Sequence, residues 1–212
     1  MTQKSVTVDL STLDQAAIYR LMIDCIVPRP IALVSTRSPA GVGNLAPFSF
    51  FNGVGSNPPT LVFSVSRKRD GTKKDTLLNI ESTRQFVVNV SSEWMAGPMH
   101  QSSANYPYGV DEMEKVGLTP LPSVKVTPPR VAESAVQMEC ELHSFHEVGG
   151  PVAGASTLVI GKILLIHLAD RAYQNGHVLI DELKPISRLG GDAYGLVSGI
   201  FEIPRAKIPP TP

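Results

Sequence analysis

Five basic side chains fall in one short stretch, Arg67-Lys68-Arg69 and Lys73-Lys74. The second group runs straight into Asp75-Thr76 and the apolar Leu77, Leu78 and Ile80. A helix opened by Asp75 or Thr76 leaves its first backbone N–H groups unpaired at the positive end of the helix dipole. A lysine and a threonine hydroxyl beside that end complete a seat for a phosphate. The same residues also read as a solvated basic turn with Asp75 as an ordinary cap, and an inward Asp75 would repel an anion. The stretch is too short and too poor in aromatics for a nucleic-acid surface.

A second group, from Asn44 to Pro59, combines amide and hydroxyl side chains with Phe48, Phe50, Phe51, Gly53 and Gly55. Read as a loop between two strands, it suits a flat heteroaromatic ligand that needs hydrogen bonds at its edge and an apolar face. The competing reading is a hairpin whose phenylalanines are core. Gly53 and Gly55 form no dinucleotide fingerprint, because Pro58-Pro59 forbids the helix that should follow, and Gly149-Gly150-Pro151 and Gly190-Gly191 fail likewise. His143 and His146 would point to opposite faces of a strand, without an HExxH motif or a thiolate partner, so no metal site is expected. Ser35, Ser49 and Ser64 lack a nucleophile-elbow sequence. Trp94, Met95 and Met99 read as core.

The elements that would position these groups belong to an ordinary globular chain of 212 residues, 42% hydrophobic and 18% charged. Lysines and arginines balance aspartates and glutamates at 19 each, which removes a whole-protein electrostatic case for nucleic acid or acidic membranes. The N-terminal MTQKSVTVDL has no basic region followed by an apolar one, so no secretory signal is expected. Leu158 to Leu168 is too short to span a bilayer. Cys25 and Cys140 make no disulfide framework and read as reduced thiols of a cytoplasmic protein. Eighteen prolines and 17 glycines punctuate many short elements, as in a β-rich domain.

Thr12 and Gln15 at capping-box spacing predict a helix from about Leu13 to Met22. Strands are expected at Ile31–Thr36, Thr60–Ser66 and Gln85–Val90, with a helix from Asp75 or Thr76 between the last two. A helical piece around Trp94 and Met95 should end before Pro98, and another should cover Asp111 to Val116, closed by Gly117. From Ala135 to Phe145, strict alternation predicts a strand with Gln137, Glu139, Glu141 and His143 on a wet face. Thr157 to Leu168, apolar on both faces, predicts a strand buried on both sides, inside the domain or in a subunit interface. The tail from Ile208 to Pro212 reads as an extended arm. With no linker visible, the chain is expected to be one domain, mainly β, a closed antiparallel barrel with helical insertions.

In order, these segments resemble the flavin reductase-like family with the FMN-binding split-barrel fold, and its flavoredoxin-like branch in particular. The resemblance rests on Arg29–Thr36, Asn44–Phe51, Asn57-Pro58-Pro59, Lys74–Ile80 and Phe86–Val90, then on Tyr106–Glu112, Glu133–Leu142 and Arg188–Tyr194. It implies a homodimeric six-stranded split barrel with non-covalent FMN near the subunit boundary. Asn44, Leu45, Ala46, Pro47, Ser49, Phe50, Phe51 and Asn52 would line the ring and ribityl chain, with Ser35 and Thr36 beneath. Lys74 and Thr76 would approach the phosphate, Asp75 would cap from outside, and Gly191–Tyr194 would reach the neighbouring subunit's flavin. The activity implied is NAD(P)H-dependent flavin reduction, passing electrons to a flavin or protein acceptor. A flavoredoxin-type carrier, a pyridoxamine phosphate oxidase-like enzyme and a flavin- or haem-binding module stand as alternatives. No acidic or basic side chain is obligatory for such chemistry, in keeping with the lack of a catalytic constellation in the sequence.

Overall fold

The computed structural model describes residues 4–206, so the tail from Ile208 lies outside the described residues. Seven strands form one antiparallel sheet in the order Gly43–Phe48, Ala32–Arg37, Gln85–Val90, Val136–Val148, Ser156–Leu168, Pro59–Ser66, Phe51–Ser56. The two edge strands are consecutive in sequence, joined only through Ser49 and Phe50. A flat sheet of this many strands would be about 29 Å wide, whereas three Cα–Cα steps span at most about 11 Å. The sheet must therefore curl until its edges nearly meet. Phe48 of one edge strand lies 5.2 Å, ring to ring, from Phe63 of the strand next to the other edge, and Ser64 N–H donates to Phe50 C=O at 2.9 Å. Counting the two joined edge strands as one gives the expected six. The segment read as a loop is thus mostly strand, because Phe48 and Phe51 have side chains that the closing barrel needs.

Period-two alternation divides the core. Ala32 and Val34 join Phe48, Phe63, Phe86, Cys140 and Val159 inside the barrel, while Ile31 and Leu33 join Leu45, Met95, Met99 and Met113 outside it. The helix Asp75–Thr83 contributes Leu77 and Ile80 to the inner cluster, and Gln85–Val90 forms the strand its sequence predicts.

Several expectations are corrected. The first helix spans Gln15–Cys25 and is capped by Asp14, whose carboxylate accepts from Ala17 N–H at 2.7 Å. Thr12 instead closes a preceding turn by donating to Asp9 C=O. The strand expected at Ile31–Thr36 runs from Ala32 to Arg37, and Arg29–Pro30 before it forms an additional short strand paired with Ile186–Arg188 in a separate small sheet. A helix at Ala96–Gln101 runs through Pro98, which sits in the first turn where a missing N–H costs nothing. The acidic helix is Glu112–Lys115 with Asp111 as its cap, close to expectation.

The wet face of Val136–Val148 is not wet at its first half. Gln137 and Glu139 are buried beneath the segment 119–134. The Glu139 carboxylate accepts from the N–H groups of Val124 and Lys125 and meets His167 Nε2 at 2.6 Å. Burial alone would raise its pKa, but these bonds outweigh burial and hold the carboxyl below the usual range. Ser156–Leu168, expected to be buried on both sides, hides Thr157 and Val159 inside while Ile166 stays half exposed.

Gly161 marks the tightest inner packing, since a methyl there would overlap the fully buried Phe86 ring. Gly161→Ala should lower unfolding stability by about 1–3 kcal/mol in urea titration, and an unchanged midpoint would count against this packing.

Candidate functional site

The helix Asp75–Thr83 begins at a cleft. Lys74, not Asp75 or Thr76, is its N-cap residue, extended at φ −73° and ψ 155°, and no side chain caps the helix start. The nearby charges are largely paired: Lys68 Nζ meets Asp75 Oδ1 at 2.8 Å, and Lys73 pairs with Glu81. Asp75 does not cap the helix as expected; it is engaged by Lys68 and borders the cleft. Among the described residues Lys74 has no carboxylate partner, and its Nζ lies 6.0 Å from the Phe48 ring centroid. Burial pushes the Lys74 ammonium below its ordinary pKa, Lys68 adds to that, and Asp75 opposes it. Thr76 Oγ1 accepts from Asn44 Nδ2 at 3.0 Å, which fastens the helix start to the edge strand and leaves the hydroxyl proton free.

This cleft opens between Asn44, Ala46, Pro47 and the lysine side on one hand, and residues 102–106 on the other. Glu112 forms its floor. The Glu112 carboxylate is buried and accepts from Leu45 N–H at 2.8 Å. Burial pushes its pKa up, the Leu45 bond works against that, and Asp75 and Asp111 add to the rise. Gly43 is required beside it, because the Asp111 carboxylate occupies the space a side chain would fill.

Pro47 and Ser103 also border a second cavity, reaching Tyr19, Ser49, Met99, His100, Arg188 and Tyr194. Ser49 borders a third, with Phe50, Phe51, Asn52, Pro30 and Leu158. The three cavities therefore follow the chain from Asn44 on one edge strand, through the link, to Asn52 on the other. Arg29 holds the middle of this path in place. It is buried, donates to the carbonyls of Ile23, Ile26 and Leu189, reaches Ser49 Oγ at 3.3 Å and stands 5.7 Å from the Phe50 ring centroid.

The structure thus gathers Asn44, Ala46, Pro47, Lys74, Asp75 and Thr76 at one cleft, puts Ser49 and Tyr194 on the adjoining cavity, and sets Phe50, Phe51 and Asn52 on the third. Leu45 turns its side chain into the outer core and offers only backbone. Ser35 and Thr36 do not line these cavities. Ser35 donates to Pro129 C=O and accepts from Asn89 Nδ2, while Thr36 accepts from Asn79 Nδ2. Both are fully buried, so a place directly beneath a ligand is replaced by a structural one. Tyr194 borders a cavity of its own chain, against His100.

Sequence reasoning missed Glu112, Lys68, residues 102–106, His100 and Arg188. Glu112 and Arg188 lie within motifs that carried the resemblance, yet an acidic run such as Asp111-Glu112-Glu114 looks like a solvated helix start until its partners are known. Among the described residues no cluster of three or more His, Cys, Asp or Glu forms a metal site, and no helix is long and apolar enough to cross a membrane.

The family model for the flavin reductase like domain matches residues 24–182. The chain is similar to the crystal structure of nitrilotriacetate monooxygenase component B from Bacillus cereus, with 35% identity and a TM-score of 0.91 over 95% of this chain and 100% of that one. It is similar to the 2-nitrobenzoate 2-nitroreductase NbaA of Pseudomonas fluorescens, with 29% identity and a TM-score of 0.85 over 97% and 99%. A flavoredoxin of Desulfovibrio vulgaris (Miyazaki F) has 20% identity and a TM-score of 0.71 over 84% and 92%, a likeness of fold alone.

Glu112 generates a pH prediction. Its folded pKa is raised, so its contribution to stability is full below the unfolded value and is lost as pH rises through the folded one. Denaturant titrations of Glu112→Gln and the parent should therefore diverge in the variant's favour as pH rises above the ordinary glutamate range. A stability difference that stays constant over that rise would exclude a raised Glu112.

Proposed function

The chain belongs to the flavin reductase-like family, and we propose that it is an NAD(P)H-dependent flavin reductase with bound FMN, delivering electrons to a free flavin or another acceptor. The observation that carries the cofactor assignment is Lys74. It is a largely buried cation without a carboxylate partner, at the uncapped start of a nine-residue helix and beside a threonine hydroxyl. A phosphomonoester supplies what these groups lack: negative charge for the ammonium and acceptors for the helix N–H groups.

In this reading Lys74, Thr76 and the first N–H groups of the helix hold the phosphate. Asn44, Ala46 and Pro47 follow the ribityl chain, and Ser49 to Asn52 border the ring, with Arg29 fixing Ser49 and Phe50. When bound, FMN supplies a ring that takes a hydride from a nicotinamide and passes the electrons on. The chain's part is to orient that ring, exclude water and place donors where negative charge develops.

The remaining features fit a cytoplasmic homodimer working as one domain along the whole chain. Cys25 and Cys140 are unpaired. Leu196, Val197, Ile200, Phe201 and Ile203 are exposed along the C-terminal segment, and Ile166 is exposed on the outer sheet face. A second copy would cover such apolar surface.

Purified protein should be yellow, and anaerobic NADH or NADPH should bleach it. Bleaching by neither would sink the reductase reading and favour a flavoredoxin-type carrier. Lys74→Ala should weaken FMN binding about 10- to 100-fold at low salt, as loss of a charge-assisted contact predicts. Unchanged affinity in fluorescence titration would displace the phosphate from this cleft.

A further inference from the structure

A basic and an acidic group line the cleft at the start of the Asp75–Thr83 helix without pairing. Lys74 has no carboxylate partner, and Glu112, on the floor of the same space, has no cation partner among the described residues. Their neighbours behave differently, since Lys68 takes Asp75 and Lys73 takes Glu81. A cation and an acid held in one cleft, each without the other, leave room for a third group that both can contact.

Glu112 is only 6% exposed, and its Oε2 accepts from Leu45 N–H at 2.8 Å. Among the described residues that N–H is the one donor reaching the carboxyl from outside its own helix. An ionised carboxylate accepts at both oxygens and gains nothing from burial, whereas the protonated acid can also donate. Burial therefore favours the acid, the bonds from Leu45 and from its own N–H oppose it, and Asp75 and Asp111 favour it further. The other titratable groups around it are Lys68 and Lys74 on the helix side and Tyr106 on the opposite wall. The edge strand Gly43–Phe48 packed against its helix carries none.

We propose that Glu112 makes the binding of a phosphate monoester in this cleft proton-linked. Protonated, its carboxyl adds a donor to a space that must hold an anion; ionised, it sets a negative charge there. The inference rests on the reading of this cleft as the FMN phosphate site. An ionised Glu112 takes one proton from solvent as the phosphate enters and returns it on release, and no other bond is made or broken.

The signs of the three linked titrations differ. Affinity for the anion is full while Glu112 is protonated and is lost as pH rises through its folded pKa. Lys74 acts in the same direction, because it holds an anion only while charged. The phosphate itself acts the other way, gaining its second charge above a pKa of about 6. Both of the latter remain when Glu112 is replaced by glutamine, which keeps an acceptor for Leu45 N–H and cannot ionise.

Calorimetric titrations of FMN and of riboflavin into the parent and Glu112→Gln test this, from mildly acidic to mildly alkaline pH. Running each in two buffers of different ionisation heat counts the protons exchanged. As pH rises, the parent's FMN affinity should fall relative to the variant's by up to about tenfold per pH unit, with about one more proton taken up. Riboflavin, which lacks the phosphate, should show a much smaller divergence. Parallel pH profiles with equal proton counts would overturn the coupling and leave the cofactor reading intact. A divergence as large for riboflavin as for FMN would also overturn it, because the ring and not the phosphate would then be responsible. FMN bound by neither protein at any pH would overturn both readings. If Glu112→Gln does not fold, carbon-13 NMR of the parent's glutamate carboxyls decides. FMN should move the titration of one buried carboxyl to higher pH, and a set of titrations unchanged by FMN would overturn the coupling.

Discussion

The short link through Ser49 and Phe50 is the constraint on which the rest of the structure depends. It ties strands that are the two edges of one sheet, and the sheet can satisfy it only by curling. Curling brings Phe48 against Phe63, and Phe63 against Phe86 at 5.4 Å, so the closure is filled by aromatic rings rather than by a hydrogen-bonded ladder. The same curling leaves a seam along the edge strand, and the three cavities lie on that seam. Barrel closure and the proposed ligand site share the same nine residues, Asn44 to Asn52.

The sequence made the sheet more legible than the site. Period-two alternation in Pro59–Ser66 and the apolar run Gln85–Val90 are local signals, and both strands stand where those signals place them. Helix starts were less legible, because several residues near each start could cap it and only packing chooses: Asp14 over Thr12, Lys74 over Asp75. The largest departures come from segments distant in sequence. Glu139 looks solvent-facing until Val124 and Lys125 arrive to cover it, and Glu112 looks like a surface acid until Leu45 N–H is set against it. No local pattern encodes such encounters.

The site shows the same division. Lys74 and Thr76 border one cleft, and a basic residue and a hydroxyl at a helix start have a direct physical meaning in the sequence. Ser35 and Thr36 are buried away from the cavities, because membership of a strand does not say which layer a side chain enters. Arg188 and His100 lie 88 positions apart in sequence and share a cavity only because a hairpin near the C-terminus folds back over a short helix. The order of motifs, more than the content of any one, carried the resemblance to the family.

The lysine at the start of the Asp75–Thr83 helix has one more consequence. Its charge is desolvated when the chain folds, before any ligand arrives. A partner bearing a dianion relieves that condition, whereas a flavin without its phosphate would fill the cleft and strip away the water that remained. Discrimination would then arise less from attraction to the right molecule than from the penalty the wrong one incurs, a selectivity already set in the empty protein.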